Sequence, residues 1–263
     1  MARSARIGRV EILNIEDYAP PPFNSWDFFP DVPPDAWEPH RAHHALDGDG
    51  KFRVSFGVFA LISDDFVVLV DTGIGPSVPE MFGGGEGRLI RRLREFGIQP
   101  GQITAVLNTH LHPDHVGWNM TDGAPTFSNA RYYFSARDYE HWTSEPVLEH
   151  APHIPAQAQP LEDLGLLELT ADGDDIVPEI RALATPGHTP GHQSFLIESD
   201  GEKGVITGDV IHSRAQFTNP EWSAGADSDK PQGVGTRVAL IERIVSEKLT
   251  VACSHLVGDS NIG

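Results

Sequence analysis

Four side chains that commonly bind metal ions lie within six consecutive residues in the first half of the chain. The segment 110–115 reads HLHPDH, and it contains His110, His112, Asp114 and His115. Neutral imidazole nitrogen and carboxylate oxygen are ligands that suit zinc and related divalent ions. The segment follows the apolar run 105–107 directly, so a strand end and a tight turn would aim its side chains at one point. We therefore predict that this segment binds metal.

Three further residues of the same types follow predicted strands later in the chain. His188 stands in the segment 185–192, TPGHTPGH, in which proline and glycine favour a turn. Asp209 follows the apolar run 205–207, and His255 follows the short apolar run at 251–252. Each of these three is weak evidence alone. Together with the first segment they make seven ligand-type groups, enough for two sites of three or four protein ligands each with room for solvent.

The elements that must position these groups alternate between short strands and helices. β-Branched and aromatic runs bounded by Asp, Ser and Gly predict the strands. Helical periodicity predicts one helix at 86–96, ended by Gly97, and a last helix with Val238, Ile241, Val245 and Leu249 on its apolar face. Such a mixture predicts sheets whose outer faces carry helices. The predicted strands are 52–62 and 66–70, joined as a hairpin, then 105–107, 131–134, 180–184, 195–197, 205–207 and 251–252.

Length and charge restrict the class of protein. The chain has 263 residues, which suits a single domain spanning 1–263. Lys and Arg number 19 against 38 Asp and Glu, and the resulting charge of −19 would repel nucleic acid. No apolar run has the length of a signal peptide or a membrane span, and there is one cysteine, Cys253. We expect a cytoplasmic protein that binds neither nucleic acid nor membrane.

The segment 17–51 is rich in proline and aromatic residues and has no sustained period. We expect an ordered loop. Its aromatic side chains, with Phe217 and Trp222 from the loop after Asp209, would form an apolar wall or lid over the site. The alternative is that they only fix the loop to the body of the protein, and the sequence leaves both interpretations open.

The ligand pattern resembles that of the metallo-β-lactamase superfamily, in which His-x-His-x-Asp-His is followed by a His, an Asp and a last His. The resemblance spans about residues 52–255. It implies an α+β fold, an αββα four-layer sandwich of two mixed sheets flanked by helices. It also implies that Asp71 supports the ligand histidines from outside and that Asp209 bridges two metal ions. One ion would be held by His110, His112 and His188, and the other by Asp114, His115 and His255.

Differences between this sequence and the ligand patterns of other branches restrict the branch that it resembles. His112 stands where the redox-active diiron branch carries an acidic residue, and Asp209 stands where the best-known zinc β-lactamases carry cysteine. The chain ends at Gly263, without the basic C-terminal region of glyoxalase II. The segment 208–212, GDVIH, resembles the branch of acyl-homoserine lactonases and methyl-parathion-type organophosphate hydrolases. Those lactonases typically carry tyrosine at the position of His212. A histidine there is closer to the pattern of the organophosphate hydrolases.

The resulting hypothesis is a binuclear metal-dependent hydrolase. A hydroxide bridging two divalent ions, for which zinc is favoured and manganese, iron or cobalt are compatible, would cleave a lactone or ester. Asp114 would accept and relay the proton. His212 would stabilise the developing oxyanion or protonate the leaving group, and a structural hydrogen bond is its alternative role. An organophosphate triester is the alternative substrate for the same site.

Functions of other classes also remain open at this stage. A mononuclear iron sulfur dioxygenase would leave much of the second site unused, and a non-catalytic metal-binding module would not need the complete ligand set. A nuclease is disfavoured by the charge. A homodimer agrees with the resemblance, but no independent interface signal is present. The remaining histidines have no spacing that indicates a function, and we interpret them as structural or surface residues: His40, His43, His44, His141, His150, His153 and His192.

Overall fold

The computed structural model describes residues 3–43, 46–257 and 262–263. His44 and the His43 side chain lie outside the described part. The strands are β1 (Arg3–Ile7), β2 (Val10–Tyr18), β3 (Phe56–Ile62), β4 (Val67–Val70), β5 (Ala105–Leu107), β6 (Met120–Thr121), β7 (Ala124–Pro125), β8 (Arg131–Ser135), β9 (Leu167–Thr170), β10 (Asp175–Val177), β11 (Ile180–Ala184), β12 (Gln193–Ser199), β13 (Glu202–Ile206) and β14 (Thr250–Ala252).

The α-helices are short except for the last. They are α1 (Ser25–Phe28), α2 (Leu89–Glu95), α3 (Pro113–Val116), α4 (Ala136–Thr143), α5 (Glu145–Leu148), α6 (His153–Gln157), α7 (Gln159–Asp163) and α8 (Lys230–Glu247). Short 3₁₀ segments occur between them, the longest at Pro34–His43. Within the described residues, no helix combines the length and the apolar character needed to cross a membrane.

Two mixed sheets carry most of the strands. The first has the order β1-β2-β3-β4-β5-β8-β9, with antiparallel pairs up to β4 and parallel pairs from β4 onwards. The second has the order β10-β11-β12-β13-β14, antiparallel except for the parallel pair β13–β14. The hairpin predicted for 52–62 and 66–70 is confirmed as β3–β4, although β3 begins only at Phe56.

The side chains of the sheets alternate between two cores, as the period of two in a strand requires. From β3, Phe59 and Leu61 point between the two sheets, where they meet Phe195 and Ile197 of β12. Val58 and Ala60 point to the opposite side, towards the helices. Helix α8 covers the outer face of the second sheet through Leu240. The layers are therefore helix, sheet, sheet and helix, and the predicted αββα sandwich is confirmed.

The N-terminal strands were not predicted, because β2 carries apolar residues on both faces and shows no simple alternation. Ile12 points between the sheets, whereas Ile15 points towards the helices. Asp17, expected to open the loop 17–51, belongs to β2 and is fully buried. In its described residues, 18–43 and 46–51, that segment contains α1 and the 3₁₀ segment Pro34–His43.

The predicted face of the last helix was only partly right: Ile241 packs against the core under α8, and Leu249, just after the helix, is buried. Val238 and Val245 are exposed, by 36% and 72%. The helix instead buries Gly233, Arg237 and Leu240. Because a buried arginine occupies the centre of the packed face, the apolar period suggested a face shifted by one residue.

Candidate metal centre

The predicted ligands lie at one edge of the sandwich because their strands end there. His110 lies three residues after β5, Asp209 three after β13 and His255 three after β14. β13 and β14 are parallel, and β11 runs in the same direction because it is antiparallel to β12. His188, which follows β11, therefore reaches the same edge. Both sheets contribute to the centre.

Two turns bring the remaining side chains into place. Pro113 begins α3, so that His112 lies just before the helix and Asp114 and His115 lie in its single turn. In the turn after β11, Gly187 has a φ of 136° and packs against α8. A Cβ at Gly187 would lie 2.3 Å from the backbone of Gly233. Glycine at this position thus allows the His188 turn to approach the helix.

The first group consists of three imidazoles and one carboxylate. The Nε2 atoms of His110 and His188 both lie 2.9 Å from Nδ1 of His112. Asp209 Oδ2 lies 3.3 Å from His188 Nε2 and 3.8 Å from His110 Nε2. Four potential ligand atoms therefore face a common point.

The second group lies beside the first and shares Asp209 with it. Asp114 Oδ2 lies 3.6 Å from the Nε2 atoms of both His115 and His255. Asp209 Oδ1 is 3.3 Å from His115 Nε2, and its Oδ2 is 2.9 Å from His255 Nε2. The structure thus brings all seven predicted ligands together, divided as the resemblance implies and with Asp209 between the groups. Metal binding by them stays a prediction.

Partners outside the cluster fix the orientation of three of the imidazoles. Each of the three donates from Nδ1 over 2.8 Å: His115 to Asp71 Oδ2, His188 to Asp227 Oδ1, and His255 to the carbonyl oxygen of Ser55. A proton held at Nδ1 leaves the lone pair at Nε2, which faces the cluster. This is the arrangement in which metal-binding histidines are usually held. Asp71 has the supporting role that the resemblance implies.

The atoms inside the cluster fit divalent cations. His115 Nε2 and Asp209 Oδ1 are buried and have no hydrogen-bond partner. Buried acceptors without a partner are unfavourable, and His112 Nδ1 has at most one proton for the two imidazole nitrogens that lie 2.9 Å from it. A cation in each group would satisfy both. The donor set of imidazoles and carboxylates is one that zinc and related ions accept.

Protonation differs between the two groups of the cluster. Burial and the neighbouring imidazoles lower the pKa values of His110 and His112 well below the usual value, so that both rings are neutral near pH 7. Burial acts to raise the pKa of Asp209, but His255 and His115 outweigh it and hold the pKa well below its usual value. Burial acts to lower the pKa values of these two rings, but the carboxylate of Asp209 outweighs it and raises both. Metal ligands must be deprotonated, so ions that bind the second group would displace protons from His115 and His255.

His212 adjoins the second group. Its Nε2 lies 3.1 Å from Asp209 Oδ2, and its ring stacks on that of His255 at a centroid distance of 5.4 Å. The ring of Phe28 contacts it edge-on at 5.4 Å. His212 Nδ1 is buried and has no hydrogen-bond partner. One nitrogen of His212 therefore faces Asp209, and the other has no hydrogen-bond partner.

The centre is partly open, and aromatic rings border it. His112 and Asp114 are only partly buried, whereas the other ligands are buried. Trp142 contacts His112 at 5.3 Å. The aromatic residues of the N-terminal segment form a cluster in which Trp37 packs against Trp222 at 4.8 Å. Phe217 does not join them but packs against the outer core under α8, the alternative role as a packing residue.

Supporting residues of the centre were missed in the sequence. Arg237 is 1% exposed, and its Nη2 lies 3.5 Å from Asp227 Oδ2. Its Nε donates to the carbonyl oxygen of Val210, next to Asp209. His192, interpreted as structural or surface, is buried and accepts at Nε2 from the backbone N–H of Asp209 over 3.0 Å. The repeated TPGH in 185–192 was a signal for His192, whereas nothing in the sequence marked Asp227 or Arg237.

Comparison with known proteins gives one family and several relatives. The sequence pattern of the metallo-beta-lactamase superfamily matches residues 50–255. An N-acyl homoserine lactonase of a Bacillus species is 29% identical over 217 residues, which cover 75% of this chain and 79% of that protein. The N-acyl homoserine lactonase AttM of Azorhizobium caulinodans is 30% identical over 144 residues, covering 52% of this chain and 50% of that protein.

Solved structures agree with these matches. The hydrolase AbOPH of the beta-lactamase superfamily superposes with a TM-score of 0.87 at 28% identity, covering 100% of this chain and 92% of that chain. AidC, a dizinc quorum-quenching lactonase, superposes with a TM-score of 0.82 at 21% identity, with the same coverage. At 21% identity, the likeness to AidC shows a similar fold and no more.

Proposed function

Since this chain belongs to the metallo-beta-lactamase superfamily, we propose that it is a two-metal hydrolase that opens the ester bond of a lactone. The observation that carries the proposal is the convergence of seven ligand-type side chains into two groups that share Asp209. The lactonase relative at 29% identity supports the substrate class. A small-molecule substrate also agrees with the charge of −19, which disfavours nucleic acid.

In this proposal each of the two groups binds one metal ion. His110, His112 and His188 would hold one ion, Asp114, His115 and His255 the other, and Asp209 both. When bound, a pair of divalent ions lowers the pKa of water to near 7 and polarises the scissile carbonyl. Zinc is the ion we favour, because the set is rich in imidazole nitrogen.

Two side chains have further roles in the proposal. The carboxylate of Asp114 is 15% exposed, the most open acid of the cluster, so it is the group best able to accept a proton and pass it to solvent. His212 would donate a hydrogen bond or a proton to the leaving oxygen from Nε2, the nitrogen that lies 3.1 Å from Asp209 Oδ2. Neither role requires a serine or cysteine nucleophile.

The aromatic cluster of the N-terminal segment would form the apolar wall for the acyl substituent. Phe28 contacts His212, and Phe28 packs on Phe52 with a centroid distance of 5.0 Å, so the wall begins beside the proposed catalytic imidazole. Apolar pockets with a few polar groups are typical of small-molecule sites. In this proposal the segment acts as a cover over the substrate.

A phosphotriester is the second candidate substrate. The observation that favours it is His212, which stands where homoserine lactonases typically carry tyrosine. Likeness to the hydrolase AbOPH at 28% identity agrees with a branch wider than lactonases. The iron dioxygenase is less well supported, because the second group, with Asp114, His115 and His255, is fully assembled.

The decisive experiment is metal analysis of the purified protein together with a panel of lactones, aryl esters and phosphotriesters. His110→Ala and Asp209→Ala should each lose bound metal and hydrolysis. His150→Ala, which removes an exposed imidazole, is the matched control and should behave as wild type. Near two metal ions per chain, with lactones hydrolysed best, would support the proposal. One iron per chain with no hydrolysis would overturn it in favour of the dioxygenase.

A further inference from the structure

A buried carboxylate outside the ligand set connects two of the ligand-bearing loops. Asp138 belongs to α4 and is 0% exposed. Its Oδ2 accepts from the backbone N–H of Leu111 over 3.0 Å, and its Oδ1 accepts from the backbone N–H of Gly191 over 3.0 Å. Each oxygen of one carboxylate therefore holds a different loop.

These two loops supply the imidazoles of the first group. Leu111 lies between His110 and His112, and Gly191 lies three residues after His188. One loop follows β5 of the first sheet and the other follows β11 of the second. Asp138 thus joins the two sheets at the edge where the metal ligands meet.

The contacts leave little freedom for either loop. A Cβ at Gly191 would lie 2.1 Å from the backbone nitrogen of Asp138, so this loop and α4 are in close backbone contact. The carbonyl oxygen of Leu111 accepts from His153 Nε2 over 2.8 Å. The peptide groups on both sides of Leu111 are therefore held, one by Asp138 and one by His153.

A carboxylate suits this position for a physical reason. Two backbone N–H groups converge on one buried point, and each would be unsatisfied if an apolar side chain stood there. An amide side chain has only one acceptor oxygen, so it can satisfy only one of them while its NH₂ group faces the other.

We propose that Asp138 is a positioning residue that fixes the distance between the loop bearing His110 and His112 and the loop bearing His188. The inference rests on the proposed metal centre but not on the identity of the substrate. Loss of one of the two hydrogen bonds would let the loops separate. The first group would then bind its ion more weakly, whereas the ligands of the second group from α3 and β14 would be little affected.

The test is a Co²⁺ titration of the metal-free protein, followed by absorption spectroscopy. In Asp138→Asn, one of the two binding steps should weaken by about 10–100-fold, the usual effect of losing an outer partner of a metal site, and the Co²⁺ spectrum should change. With both sites loaded, kcat should fall while KM stays close to wild type. Glu140→Gln removes an exposed carboxylate from the same helix and should leave all of these unchanged.

Distinct outcomes separate the two proposals. If Asp138→Asn binds two Co²⁺ ions with wild-type affinity and spectrum, the positioning role is overturned and the two-metal hydrolase stands. If the wild-type protein binds no ion, both proposals fail. If Asp138→Asn does not fold, hydrogen exchange of the metal-free wild-type protein decides: the amides of Leu111 and Gly191 should be protected, and rapid exchange of either would overturn the inference.

Discussion

Asp227 lies in the loop before α8, where it contacts both His188 and Arg237. Its Oδ1 accepts from His188 Nδ1 over 2.8 Å, and its Oδ2 lies 3.5 Å from Nη2 of Arg237. All three side chains are buried. The imidazole of His188 is thus oriented by the carboxylate of Asp227, which in turn is held by the buried guanidinium of Arg237 in α8.

Replacing the carboxylate that joins these groups should affect both metal binding and stability. In Asp227→Ala we expect metal affinity to fall by about 10–100-fold, because His188 loses the acceptor that orients it. We expect the free energy of unfolding to fall by about 3–5 kcal/mol, because Arg237 is left buried without its partner. Metal titration and urea unfolding measure the two effects. Glu242→Gln, which removes an exposed carboxylate from α8, should change neither, and wild-type metal affinity in Asp227→Ala would contradict the orienting role.

Loss of the imidazole at position 212 should affect turnover more than binding. In His212→Ala we expect kcat to fall by about 100-fold, the lower part of the range for general acid–base catalysis, with KM and metal content unchanged. Steady-state kinetics on the best lactone, with metal analysis of the same sample, provide the measurement. A kcat within twofold of wild type would assign His212 a structural hydrogen bond only.

Phe28 should influence the preference for acyl length. Each methylene buried against an apolar wall contributes about 0.8 kcal/mol, so Phe28→Ala should raise KM more for lactones with long acyl chains than for those with short ones. Trp26→Ala, in the same short helix but 49% exposed, is the matched control. An equal change in KM across chain lengths would show that the N-terminal segment does not contact the acyl group.

The face on which α8 packs has a simple test in stability. Leu240 is 3% exposed, and Leu240→Ala should reduce the free energy of unfolding by about 2–5 kcal/mol through the cavity it leaves. Val245 is 72% exposed, and Val245→Ala should change it by no more than about 0.5 kcal/mol. Chemical denaturation of both variants measures the difference. Equal losses would mean that the outer face of α8 is covered in solution.

The sequence was most informative where unusual residue types adjoin an ordinary strand. His110, Asp209 and His255 each follow an apolar run that packs in the core, so both their presence and their common edge were predictable. The order of ligand types then indicated the family and, through it, the fold.

Residues whose meaning depends on distant partners were not predictable in this way. Asp138, Asp227 and Arg237 look like ordinary helix and loop residues in the sequence, because the contacts that connect them to the centre span between 10 and 53 positions along the chain. The buried face of α8 was assigned only in part for the same reason. Arg237 is a charged residue that the apolar pattern does not mark, and it can be buried because Asp227 and the carbonyl oxygens of Val210, Pro220 and Trp222 accept from it.

Because both sheets contribute ligands to one centre, the centre is complete only after the two sheets have docked during folding. His110 and His255 are separated by 145 positions in sequence, yet both contact Asp209. Before the sheets dock, only the short segment 110–115 offers clustered ligands, and it lacks Asp209. We therefore expect metal acquisition to be a late step of maturation, so that stable loading with two ions distinguishes completely folded chains from partly folded ones.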